Sequence, residues 1–307
     1  MITYYPYFRG RMYDLLALKA LCEQKQLGPQ IIPVIEPVRD SKELQQLVQA
    51  FINTQQPFSL IANPQVSVYG LNTVKRFPLP DLSNAPFYHP GAILAADFSS
   101  AFVHTEVGQT SLLLAPNFPL LQAYQDTEVL NQVSGVLIPN EARLHQLVSK
   151  QAILLTDSIV PPHHSDEPDL IDSYFSSAFW AHVPVGYQGF GDYSLMGSTY
   201  FDHGMPSRAI TLHIIYVTVD GTLRIHHFVS DSNDSMRGQK QKFFEALHKL
   251  TAWAPPYLTG INQTPALNEL LAYATTTKFP GLGTIKKLAI MHHLQLMRRL
   301  LALNIGA

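Results

Sequence analysis

Six short apolar runs each end in an acid or an amide, usually beside proline or serine. They are IIPVIEP with Glu36, SLIANP with Asn63, ILAADFS with Asp97, LLLAPN with Asn117, GVLIPN with Asn140, and AILLTDS with Asp157. A later stretch, AHVPVGYQGFGD, ends at Asp192 and is followed by Tyr193. Arg9 and Arg11 flank a glycine after the opening ITYYPYF. If the runs are parallel strands, their ends share one face, the face on which barrel enzymes carry their active sites. Glu36, Asp97, Asp157 and Asp192 are then candidates for acid–base work or for holding a divalent cation. Arg9, Arg11, Asn63, Asn117 and Tyr193 are candidate ligand-binding groups, the arginines suiting a phosphate. Acids and amides after strands also cap the next helix, and Asn140 is placed to do so.

Other chemistry-bearing residues give weaker signals. Thirteen histidines include the pairs His163-His164, His226-His227 and His292-His293. Adjacent strand residues point to opposite faces, so His226 and His227 are poorly placed to share an ion, whereas His213 and His226 are candidates to face each other across a hairpin. Metal spacings of the H-E-x-x-H or C-x-x-C kind are missing, as are a G-x-S-x-G elbow and a phosphate loop. GYQGFGDYSLMGS reads either as a flexible loop over the strand ends or as a tight closing turn. A glycine-containing turn before Thr284, with Lys286, Lys287, Arg298 and Arg299 in the following helix, is a candidate anion site. The apolar residues on most faces of that helix instead predict a packing helix.

These residues need elements to hold them. The runs are continuously apolar, as in parallel strands buried on both faces. Helical segments lie between several of them. Met12–Gln26 is amphipathic, Ser41 is a candidate cap for KELQQLVQAFINT, and Glu141–Lys150 and Asp166–Phe179 read as further helices. Counting ITYYPYF first and the strand near Asp192 last gives eight strand–helix units. The fold expected is α/β, a (β/α)8 TIM-barrel-like core over 1–200. The alternative, an open doubly wound sheet, normally carries a glycine-rich first turn that Arg9-Gly10-Arg11 does not supply. Gln65–Gly91, rich in proline and aromatics, reads as a long loop of the kind that serves as a lid or an interface. AITLHIIYVTVDGTLRIHHFVS reads as a β-hairpin turning at Asp220-Gly221. With the helices Gly238–Ala254, Pro265–Thr276 and Thr284–Asn304 it forms an appendage over 201–307, packed on the core within a single domain.

The chain has 307 residues, a formal net charge of −2 and 14% charged residues. Near-neutral charge provides no field for nucleic acid or acidic membranes. Low charge leaves apolar surface for a partner or a second copy to cover. One cysteine, Cys22, permits no internal disulfide, which fits a reducing cytoplasm, and it reads as a buried apolar residue. No signal peptide or membrane-length apolar stretch is visible.

Several blocks taken in order resemble the phage "beta protein" family and its bacterial relatives: YYPYFRGRMYDLLALKAL, IIPVIEPV and Ile61–Pro64, then GFGDYSLMGS, HFVSDSN and FPGLGTIKKLAIMHH. The resemblance implies a protein of phages and bacterial mobile elements, encoded beside a second gene in toxin–antitoxin or defence cassettes. It supplies no catalytic residues. Arg9, Gly10, Glu36, Asn63, Pro64, Gly191 and Asp192 match only as motif members.

Three functions are expected in turn. The first is an interaction protein that binds the product of a neighbouring gene. The second is a barrel enzyme acting on a phosphorylated or nucleotide-like ligand at the strand ends, with a divalent metal as a candidate cofactor. The third, opposed by the net charge, is a nucleic-acid accessory using the final basic helix.

Overall fold

The computed structural model describes residues 2–71, 74–96, 98, 111–159, 170–179, 186–201 and 208–303. The chain is mixed α/β and separates into two compact units. One comprises Met1–Asp157 and Ala178–Ser194, the other Ser158–Ser177 and Leu195–Ala307.

The first unit is built on a curled, wholly parallel sheet. Its strands are β1 (Thr3–Tyr4), β2 (Tyr7–Arg9), β3 (Val34–Glu36), β4 (Phe58–Ile61), β5 (Tyr88–Ile93), β6 (Leu112–Leu114), β7 (Gly135–Ile138), β8 (Ala152–Thr156) and β10 (Gly189–Asp192). Their order is β1-β10-β8-β7-β6-β5-β4-β3-β2. Most of these strand residues are buried, as continuously apolar runs require. Side chains of alternate residues, among them Tyr7, Val34, Ile61, Ile93, Leu137 and Ile153, meet in one apolar cluster.

This nine-stranded sheet replaces the regular closed (β/α)8 barrel that eight strand–helix units predict. The opening segment is divided at Tyr5-Pro6 into two short strands, which stand at opposite ends of the strand order. Proline has no N–H for the ladder and fixes its own φ. On one side of the break Tyr5 N donates to Phe190 O at 2.8 Å, and on the other Val34 N donates to Pro6 O at 2.9 Å. The glycines of GFGD, read both as the end of the eighth strand and as a loop or closing turn, lie inside β10, where the backbone comes very close. A Cβ on Gly191 would stand 2.1 Å from Tyr5 O, and one on Gly189 2.8 Å from Thr3 O.

Helices α1 (Met12–Glu23) and α2 (Lys42–Thr54) pack on each other. Ser41 Oγ accepts from Leu44 N at 3.2 Å and caps α2. The shorter helices α3 (Phe118–Ala123), α4 (Glu128–Gln132) and α5 (Ala142–Val148) follow. Glu141, in place of Asn140, occupies the cap position of α5.

The second unit holds an antiparallel sheet ordered β11-β12-β9, with β9 at Asp172–Ser176, β11 at Thr211–Val217 and β12 at Leu223–Val229. β9 lies where a helix over Asp166–Phe179 was expected, its Phe175 and Ser176 buried. Helices α6 (Gln239–Tyr257), α7 (Pro265–Ala272) and α8 (Leu282–Leu303) complete the unit. α6 continues through Pro255-Pro256, past its expected end at Ala254. α8 is buried on most faces, as its apolar content predicted.

Burial pushes four histidines of this unit down, His213 and His293 to about 3 and His227 and His292 to about 4. Unfolded, each titrates near about 6.5. A base depressed in this way stabilises the fold fully above pH ~6.5 and loses that contribution as pH falls towards ~4. Thermal melts followed by Trp253 fluorescence in a Trp180→Phe chain should show the melting temperature dropping between pH 7 and pH 4.5. An unchanged or higher value at pH 4.5 contradicts the burial of these rings.

Candidate functional site

Glu36 is the last residue of β3 and is 1% exposed. The β2–β3 register sets Arg9 beside it. Tyr7, two residues earlier on β2, shares the face of Arg9. Tyr7 OH donates to Glu36 Oε2 at 2.8 Å, and Arg9 Nε lies 3.2 Å from the same oxygen. The other oxygen, Oε1, accepts the backbone N–H of Gln65 at 2.7 Å. A carboxylate out of water is tolerated only with such partners. Both oxygens of Glu36 are therefore engaged in joining β2, β3 and the start of the long loop.

Asp192 ends β10 in a matching arrangement. Tyr4 OH lies 2.9 Å and 2.8 Å from its two oxygens, and Ser194 N donates to Oδ1 at 2.7 Å. Ser194 takes a left-handed φ of 51°, a conformation that non-glycine residues adopt at a cost. Burial raises the Asp192 carboxyl to about 6, against the opposing hydrogen bonds from Tyr4 and Ser194, and the negative charge of Asp157 adds to the rise. The β8–β10 register pairs Thr156 with Asp192, so the exposed Asp157 follows immediately beyond it.

Tyr193 connects the two networks. Its ring meets Tyr7 edge-on at 5.2 Å and packs against the apolar cluster. Burial raises its phenol to about 12. Arg9 pulls it down, while Asp157 and Glu36 push it up, so all three charges act on it. Arg9, Glu36, Asp157, Asp192 and Tyr193 thus gather at the strand ends. Chemically the group offers one carboxyl that titrates near neutrality, a protonated phenol and one cation already paired with a buried acid.

The remaining expected residues lie elsewhere or have other duties. Asn63 exchanges two 2.8 Å hydrogen bonds with the Ile93 backbone and stitches the end of β4 to β5. Asn117 caps α3, accepting from Leu120 N at 3.1 Å. Arg11 is the N-cap residue of α1, its own N–H 3.4 Å from Asp14 Oδ2. Asp97 and the pair His163-His164 lie outside the described residues. Among the described residues, no three His, Cys, Asp or Glu side chains form a metal-holding group, and no helix is long and apolar enough to cross a membrane. Of the final basic residues, Arg299 Nη1 donates to the carbonyls of Gly260, Ile261 and Gln263, a packing role.

Two partners were missed from sequence: Tyr4 and Tyr7. Their signal is the YYPY opening, with tyrosines on both sides of a proline, each reaching the acid at the end of a neighbouring strand. No protein-family model matches the chain, and no curated protein matches it.

The raised Asp192 carboxyl gives a signed prediction. Its folded pKa lies above its unfolded one, so its contribution is fully present below pH ~3.9 and is lost as pH rises through ~6. A two-unit shift corresponds to about 3 kcal/mol. Asp192→Asn should therefore gain roughly 2–3 kcal/mol relative to the parent chain between pH 4.5 and pH 8, measured by urea unfolding. A difference that stays constant across this range, or moves the other way, contradicts a buried, reluctantly ionised Asp192.

Proposed function

We propose that this chain is an interaction protein, a component of a two-gene defence or toxin–antitoxin-like module that binds the product of its neighbouring gene through the long loop after β4. One observation carries the reading. Acids at and after the end of β3 hold the loop in place while it presents apolar side chains outward. Glu36 accepts Gln65 N, and Asp40 accepts the N–H groups of Arg76 and Phe77. Between these ties, Val68, Leu71 and Val74 are 49%, 78% and 86% exposed. Large apolar groups clustered on a tethered loop mark a contact surface, because a loop ordered beforehand loses less entropy on binding. Arg39 and Arg76 beside them are exposed, so the fitting partner surface is apolar with an acidic rim.

An enzyme acting on a phosphorylated or nucleotide-like ligand is the second reading. It is supported by the Asp192 carboxyl at about 6, close to Asp157 and Tyr193. It is weakened by the engagement of Glu36 and Arg9 with each other and of Asn63 with the backbone.

The test is co-expression with the neighbouring gene's product and size-exclusion chromatography. The two proteins should co-elute. Leu71→Asp and Val74→Asp should each weaken the complex at least about tenfold, as loss of a buried anchor does, with the melting temperature unchanged. Failure to co-elute, or a complex indifferent to both substitutions, removes the interaction reading.

A further inference from the structure

In the second unit, His213 on β11 stands directly opposite His227 on β12. The partner across the strands is thus His227 and not His226, whose Nδ1 turns to Asp172 at 2.9 Å. The two facing rings meet through like atoms, Nδ1 to Nδ1 at 2.6 Å, with ring planes at 81°. Thr211, two residues before His213, lies on the same face of the strand. Its Oγ1 is buried and has no hydrogen-bond partner. Buried hydroxyls are nearly always satisfied, so an orphan on the strand face that carries two converging nitrogens points to a ligand.

We propose that His213, His227 and Thr211 form a site for a borderline divalent cation of the Zn2+ class, with Nδ1 of each ring as the nitrogen donors and the threonine hydroxyl as a weaker oxygen donor. Imidazole nitrogen suits such cations over hard ones. Metal–nitrogen bonds of about 2.0–2.1 Å in a tetrahedral site separate two donor nitrogens by about 3.3 Å. The rings therefore swing apart by about 0.7 Å on binding, a small side-chain rotation. In the metal-free pair one Nδ1 carries the shared proton. On binding, that ring moves its proton to Nε2, so two neutral imidazoles ligate the cation and no net proton is released. Of the charged groups on the neighbouring strands, Asp172 and Arg224 are paired with each other, and His226 also bonds to Asp172. They leave the facing pair to its own ligand. The site is independent of the loop proposed as the partner surface.

The test uses the full chain, with any purification tag removed, dialysed free of metal and titrated with Zn2+ by calorimetry. One site is expected. His213→Ala and His227→Ala should each weaken it at least about tenfold, Thr211→Val less, and His248→Ala, an exposed helix residue, not at all. Cu2+ added to the unsubstituted chain should give an electron paramagnetic resonance spectrum with two coupled nitrogens. That readout needs no variant and stands even where a histidine substitution prevents folding. No Zn2+ binding, binding indifferent to both histidine substitutions, or a copper spectrum without paired nitrogens overturns the proposal. The pair is then only a proton-sharing contact between strands.

Discussion

A carboxylate taken out of water must bring its partners with it, and Glu36 imposes that condition on the first unit. Its burial is tolerable only while Tyr7, Arg9 and the Gln65 N–H remain in place. Those three groups come from β2 and from the loop after β4, so one side chain on β3 ties together segments far apart in sequence. Asp192 repeats the device on β10 with Tyr4 and the Ser194 N–H. The two tyrosines flank the Tyr5-Pro6 break, and each serves the acid of a different neighbouring strand. The interior of the curled sheet is filled by apolar side chains. Polar groups consequently collect at the strand ends, where the sequence alone already pointed.

Much of this was legible from pattern. Buried parallel strands are apolar throughout, so their positions and their terminal acids could be read directly, and Arg9, Glu36, Asp157, Asp192 and Tyr193 do come together. What could not be read was what each group does there. An amide after a strand looks the same whether it meets a ligand, caps a helix as Asn117 does, or stitches two strands as Asn63 does. The tyrosine partners of the two acids were hidden because tyrosine in a strand is ordinary. The closed eight-unit barrel failed because proline splits the opening segment, a break that counting apolar runs does not register. The helix expected over Asp166–Phe179 became β9 because pairing with β12 outweighs weak local preference. His213 was expected opposite His226 but stands opposite His227, because a one-residue change in register exchanges the faces of every side chain.

The same interaction connects fold to proposed function. A catalytic carboxylate must be open to its substrate, and both oxygens of Glu36 are already engaged, one by Tyr7 and Arg9 and the other by the Gln65 N–H. It can, however, fix the root of a surface loop. With Asp40 holding Arg76 and Phe77, the loop is tied at two points. The Asp192 carboxyl, raised by burial to about 6, stands at the matching strand end with Tyr4, the Ser194 N–H and Asp157 around it.

Hydrogen exchange on Glu36→Gln compared with the unsubstituted chain tests the central claim most directly. The amide keeps the volume, loses the charge that pairs Arg9, and places a donor where an acceptor is needed. Amides of Gln65 and of the loop through Phe77 should then exchange at least about tenfold faster, a loss of roughly 1.4 kcal/mol or more of local protection. Loop protection equal to that of the unsubstituted chain would show that Glu36 does not hold the loop, and the account built on it would fall.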